Sequence, residues 1–141
     1  MRRCAVVVAF LLLALVAFAA SDPLPEEVVS EHNPGKRSEI AADSADRSLD
    51  QARTFYKAGQ IQRGEGELDL ISRLADECFT SAREAHKSKY WKKAEMKIAA
   101  LSRRVHSFAD ELDYTQREKP NQVAEHLDSI HDKLLEGVMG K

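Results

Sequence analysis

From Ser38 to the end of the chain, apolar and small residues recur every three or four positions and never alternate. That period is helical, and no stretch carries the two-residue alternation of a half-buried strand. The first helix is expected over about Ser38 to Ala58. Ser38 stands as its cap, Glu39 and Asp43 sit in its first turns, and Ala41, Ala45, Leu49, Ala52 and Tyr56 form its apolar stripe. Gly59 ends it. The second helix carries Ile61, Gly64, Leu68, Ile71, Ala75, Cys78, Ala82 and Ala85 in steps of three and four. Gly64 and Gly66 weaken its start, so regular helix is expected only from near Glu67.

The third helix repeats the pattern through Trp91, Ala94, Ile98, Leu101, Val105, Phe108 and Leu112. His86 to Tyr90 must hold the turn before it. No Gly or Pro marks that turn, and one long bent helix is the competing reading. Pro120 is expected to end the third helix and Asn121 to cap a fourth, whose stripe is Val123, Leu127, Ile130, Leu134 and Val138. Four amphipathic helices with short connections predict an all-α fold, a small antiparallel bundle or stacked helical hairpins over residues 38–139. Leu68, Ile71, Ile98, Leu101, Val105, Phe108, Leu127, Ile130 and Leu134 should form its core.

The pattern differs before Ser38. Arg2 and Arg3 precede an uncharged run, Ala5 to Ala20, rich in Val, Leu, Ala and Phe. Ala17, Ala19 and Ala20 supply small residues where a signal peptidase reads, and Ser21-Asp22-Pro23 follows at once. Residues 1–20 are therefore expected to be a secretory signal peptide. The run of 16 residues falls short of the ~20 that a spanning helix needs, which disfavours an uncleaved anchor. No second apolar stretch follows, so no membrane span is expected after cleavage, and the protein should be periplasmic or secreted. Residues 21–37, with Pro23, Pro25 and Asn33-Pro34-Gly35, are expected to form a flexible linker.

Composition narrows the picture. The chain has 141 residues and a formal charge of -2. Residues 1–20 hold two arginines and no acid, so their removal leaves -4. A nucleic-acid-binding polycation is excluded. Cleavage would also remove Cys4 and leave Cys78 alone, so packing and not an internal disulfide must hold the fold. Cys78 lies on the apolar stripe and is expected as core filler, with an intermolecular disulfide as the alternative.

Charge is unevenly spread. From Arg83 to Arg104 eight basic residues face two acidic ones, while residues 21–50 and 105–141 each carry an acidic excess. Either this basic segment pairs with its acidic neighbours, or it forms a docking surface for an anionic envelope component or an acidic protein. Internal pairing is the expected outcome. Lys89, Tyr90, Trp91, Lys92, Lys93 and Lys97 are the partner-binding candidates.

Catalytic groupings are missing from the sequence. There is no Gly-x-Ser-x-Gly elbow, and Gly59 to Gly66 lacks the Lys-Ser/Thr of a phosphate-binding loop. His126, Asp128 and His131 come nearest to a metal-ligand spacing, with His106 and Asp110 a further i, i+4 pair. No cofactor is implied.

A shift of 30 residues superimposes Ile61 on Trp91, Gly64 on Ala94, Leu68 on Ile98 and Ile71 on Leu101. The run Ala52, Phe55, Tyr56, Gly59, Ile61, Gly64, Leu68 resembles the turn of a tetratricopeptide repeat, and Trp91, Ala94 and Ile98 resemble the second half of another unit. Lys89 replaces the glycine there. The resemblance implies stacked helical hairpins and a protein-interaction role. The end of the chain, Leu134 to Lys141, is similar to uncharacterised exported helical proteins of environmental bacteria, a likeness that carries no activity. The expected function is an exported, non-enzymatic helical module for protein interaction or envelope association. A periplasmic metal- or ligand-binding bundle is the alternative.

Overall fold

The computed structural model describes residues 23–140. The expected signal peptide and Cys4 lie outside the described residues. Five α-helices follow one another: α1 (Glu26–Val29), α2 (Pro34–Lys57), α3 (Ile61–Glu84), α4 (Ser88–Glu111) and α5 (Glu118–Met139), with a 3-10 turn at Tyr114–Gln116 between the last two. The described residues contain no strand.

The N-terminal segment departs from the expected linker. Pro34 is the first residue of α2, where a missing N–H costs nothing, and the Asn33 side chain accepts a hydrogen bond from the Lys36 N–H. The helix thus starts four residues before Ser38. Ser38 is buried inside it, and its hydroxyl donates to the Cys78 carbonyl at 2.8 Å. Ahead of α2, α1 folds back along it: Val28 is fully buried in the common core, Leu24 packs against that core, and Glu27 pairs with Arg47. Arg37 fastens the segment. Its guanidinium donates to the Glu31 carbonyl, to Glu77 and Ser81, and to Glu84 at 2.5 Å. Residues 23–33 are therefore a strap on the bundle, and residues 34–37 are the first turn of α2.

The other boundaries also shift for identifiable reasons. Helix α3 is regular from Ile61, because Gly64 is buried under the Tyr56 ring and packing there outweighs the glycine's low propensity. Residues 85–87 do separate α3 from α4. His86 supplies the left-handed backbone, with φ of 51°, that glycine supplies at Gly59 with φ of 72°. Pro120 does not end α4, which stops at Glu111. It is buried in the first turn of α5, with Asn121 beyond it inside the same helix.

Cross-helix partners set the directions of packing. Arg37 meets Glu77 and Glu84, and the α2 residue Tyr56 meets Gly64, so α2 and α3 run antiparallel. His131 meets Glu95 and His106 meets Asp128, so α4 and α5 do too. Between the hairpins the order runs the other way. Glu39–Lys93, Asp43–Lys97, Asp50–Arg104 and Arg53–Glu111 make α2 parallel to α4. Asp69–Lys119 and Asp76–His126 make α3 parallel to α5. Two helical hairpins are thus laid side by side.

All nine expected core residues are buried, none more than 3 % exposed, and Leu49, Leu74 and Ala124 join them. The α2 face is built from Ser38, Ala41, Ala42, Ser44, Ala45, Ser48 and Ala52, small side chains that let neighbouring helices approach closely. Three aromatic rings lie directly against helix glycines: Tyr90 on Gly35, Tyr56 on Gly64 and Trp91 on Gly137.

Leu101 sits at the centre of α4, 2 % exposed. Truncation by Leu101→Ala should lower unfolding free energy by ~2–5 kcal/mol in denaturant titrations. A loss below ~0.5 kcal/mol would place that stripe outside the core.

Candidate functional site

The basic segment is divided by the register of α4 on α2. The acids Glu39, Asp43, Asp46 and Asp50 follow one another on α2 at the spacing of Lys93, Lys97 and Arg104 on α4. Lys93 Nζ lies 2.9 Å from Glu39, Lys97 pairs with Asp43, and Arg104 bridges Asp46 and Asp50. The hydrogen bond to Glu39 and its charge hold the Lys93 ammonium above its ordinary value. These cations are engaged with the bundle itself.

The cations nearer the α3–α4 turn form no ion pair among the described residues. Arg83, Lys87, Lys89 and Lys92 are exposed. The side chains of Lys87 and Lys92 have no hydrogen-bond or ion-pair partner among the described residues. Lys89 leans over the ring of its neighbour Tyr90, 4.8 Å from the centroid, and Arg83 stacks on Phe79 at 5.6 Å. Glu84, the acid of this stretch, is turned to Arg37. The N-terminus of α2 reaches the same end, because Gly35 supports the Tyr90 ring, and it adds exposed Lys36.

Tyr90 and Trp91 are structural at this end. Each is half-buried: Tyr90 seats on α2, while Trp91 seats on Gly137 of α5 and meets Phe79 of α3 edge-on at 5.9 Å. Of the six partner-binding candidates, two are thus packed rings, two are ion-paired, and Lys89 and Lys92 stand exposed without an acid. Arg83 and Lys87, which belong to the basic segment but not to the six candidates, complete the group. The matching of acidic positions on α2 to basic ones on α4 is the signal that separates the two sets.

The metal-ligand candidates do not converge. His126 Nε2 lies 2.8 Å from Asp76 on α3, and His131 Nε2 lies 2.7 Å from Glu95 on α4. Asp128 accepts from the Ser102 hydroxyl and lies 2.9 Å from His106 Nε2. Three carboxylate–histidine pairs thus stitch α5 to its two neighbours. Among the described residues no group of three or more His, Cys, Asp or Glu could hold a metal ion. Asp110 is exposed, and its carbonyl accepts from Arg117.

The remaining reactive groups are buried in the core. Cys78 is fully buried, and that burial pushes its thiol up to about 11, against the Ser38 hydroxyl 3.4 Å away. A thiol so placed is inert and is not available to a second chain. Tyr56 packs edge-on to Phe108 at 5.2 Å; burial first, then the Glu65 charge, raises its hydroxyl to about 12. Tyr56 Oη and Arg53 Nε are buried without a partner. None of the described helices is long and apolar enough to cross a membrane.

No protein-family model, curated protein or solved structure matches this chain.

Asp128 provides a pH test of the α4–α5 seam. Burial pushes its carboxyl up. Hydrogen bonds from Ser102 and His106, with the charges of His106 and His131, outweigh that and hold it below its ordinary value. A depressed folded value contributes stability that is fully present above the unfolded value of ~3.9 and is lost as pH falls through the folded value. Thermal melts should therefore show Asp128→Asn less stable than the parent at pH ~6, with the gap closing toward pH ~2. A gap independent of pH would mean the carboxylate is not held by these partners.

Proposed function

We infer that this protein is an exported, non-enzymatic helical module that works by surface contact at the cell envelope. The observation that carries this reading is the disposition of its polar groups. The histidines and carboxylates considered as ligands are tied up in separate pairs along the α4–α5 and α3–α5 seams, whereas one end of the bundle presents exposed cations that form no ion pair among the described residues. Chemistry needs convergent groups; a contact surface needs an exposed, unpaired set.

Two features of the sequence support the cellular setting and the mode of action. Arg2, Arg3, the apolar run Ala5 to Ala20 and the small residues Ala17, Ala19 and Ala20 have the layout of a cleavable export signal. The Tyr56 ring on Gly64 across the Gly59 turn agrees with the tetratricopeptide-like reading of the first hairpin, and side-by-side hairpins of that kind are a common platform for protein contacts.

Intact-mass analysis of the protein recovered from its native cells tests the export component. Cleavage near Ala19 or Ala20 is expected, which places the mature N-terminus directly before the α1 strap. An intact Met1 would overturn export. Stoichiometric bound metal in the same preparation would favour a metal-binding bundle instead.

A further inference from the structure

We propose that the α3–α4 end of the bundle docks onto an anionic lipid surface through Arg83, Lys87, Lys89 and Lys92, an inference that rests on the envelope-module reading and names its partner. The four cations span ten residues around one helix turn and are all exposed. Neighbouring Lys93 and Lys97 are occupied by Glu39 and Asp43, and Glu84 is occupied by Arg37. The positive charge at the turn is therefore not neutralised by the fold. Helix α4 begins here with no side-chain cap on its first turn, so its positive dipole end adds to the same field.

The rest of the molecule carries the opposite sign. The whole chain has a formal charge of -2 despite this segment, so the body is acidic and one end basic. A particle so polarised orients toward an anionic plane and presents that end first. Lysine side chains on a helix–turn–helix end have no facing element to hold them in register. They suit phosphate headgroups that diffuse laterally to meet them better than carboxylates fixed on a folded protein. Exposed Met139, at the C-terminal end of the helix whose Gly137 supports Trp91, adds an apolar side chain at this end. Because Tyr90 and Trp91 are committed to packing, the contact is electrostatic adsorption without deep insertion.

Vesicle co-sedimentation tests this. The mature protein should bind vesicles of phosphatidylcholine with about one-third phosphatidylglycerol at low salt, ignore vesicles of phosphatidylcholine alone, and be released at ~0.5 M salt, where charges are screened within a few ångströms. Replacing Arg83, Lys87, Lys89 and Lys92 together by Gln should weaken binding by at least about tenfold while the helical circular-dichroism signal and a cooperative melt are retained. The Lys93→Gln, Lys97→Gln double variant should melt lower yet bind better than the quadruple variant. Absence of binding by the parent, or binding that the quadruple variant retains, overturns the proposal. If the parent ignores anionic vesicles but binds immobilised polyglutamate through the same four residues, the lipid assignment falls while the contact-module reading stands. Stoichiometric metal or an intact Met1 counts against that reading independently of the vesicles.

Discussion

The bundle depends on aromatic rings seated on helix glycines. At each seat the ring occupies the space where a side chain's Cβ would stand, and a methyl group at any of the three glycines would collide with the ring. Glycine inside a helix costs about 1 kcal/mol relative to alanine. Burial of the Tyr or Trp ring against the neighbouring helix offsets that cost. The first turn of α4 uses two seats at once. Tyr90 rests on α2, Trp91 rests on α5 and touches Phe79 of α3, so one dipeptide joins α4 to every other long helix. At the opposite end, Tyr56 on Gly64 and against Phe108 does the same for α2, α3 and α4.

Once these seats fix the register, the charges sort themselves. The parallel approach of α4 to α2 aligns Glu39 with Lys93, Asp43 with Lys97, and Asp46 and Asp50 with Arg104. The approach of α5 to α3 and α4 places each of three histidines opposite a carboxylate. Exposed pairs of this kind contribute little singly. In this register all of these pairs form at once. Residues at the α3–α4 turn lie ahead of Glu39, the first acid of α2, and fall outside this pairing.

Most of the fold was legible in the hydrophobic period. The middle of each stripe on α3, α4 and α5 is buried and its ends, at Ile61, Ala85, Trp91, Leu112 and Val138, are partly covered, because one face of each helix is packed and the other is wet. The boundaries were less legible. Prolines 34 and 120 read as breakers, yet each sits in a first helical turn, a distinction made only by what precedes it. His86 adopts a conformation that its residue type does not advertise. Val28 and Leu24 were too few to reveal a strap, since their burial depends on the α2 surface they meet. The candidate surface was half legible: local charge marked residues 83–104, but which lysines are spent depends on a neighbour about fifty positions away.

Trp91 is the single tryptophan, so its emission reports directly on the seat at Gly137. The decisive measurement is Trp91 emission and acrylamide quenching in Gly137→Ala, beside Gly66→Ala as a control at an exposed helix position with open space. If ring seats govern the assembly, Gly137→Ala shifts emission to the red, raises quenching and lowers the melting temperature, while Gly66→Ala leaves Trp91 unchanged and melts no lower than the parent. Unaltered emission and quenching in Gly137→Ala, with an unchanged melting temperature, would contradict the account.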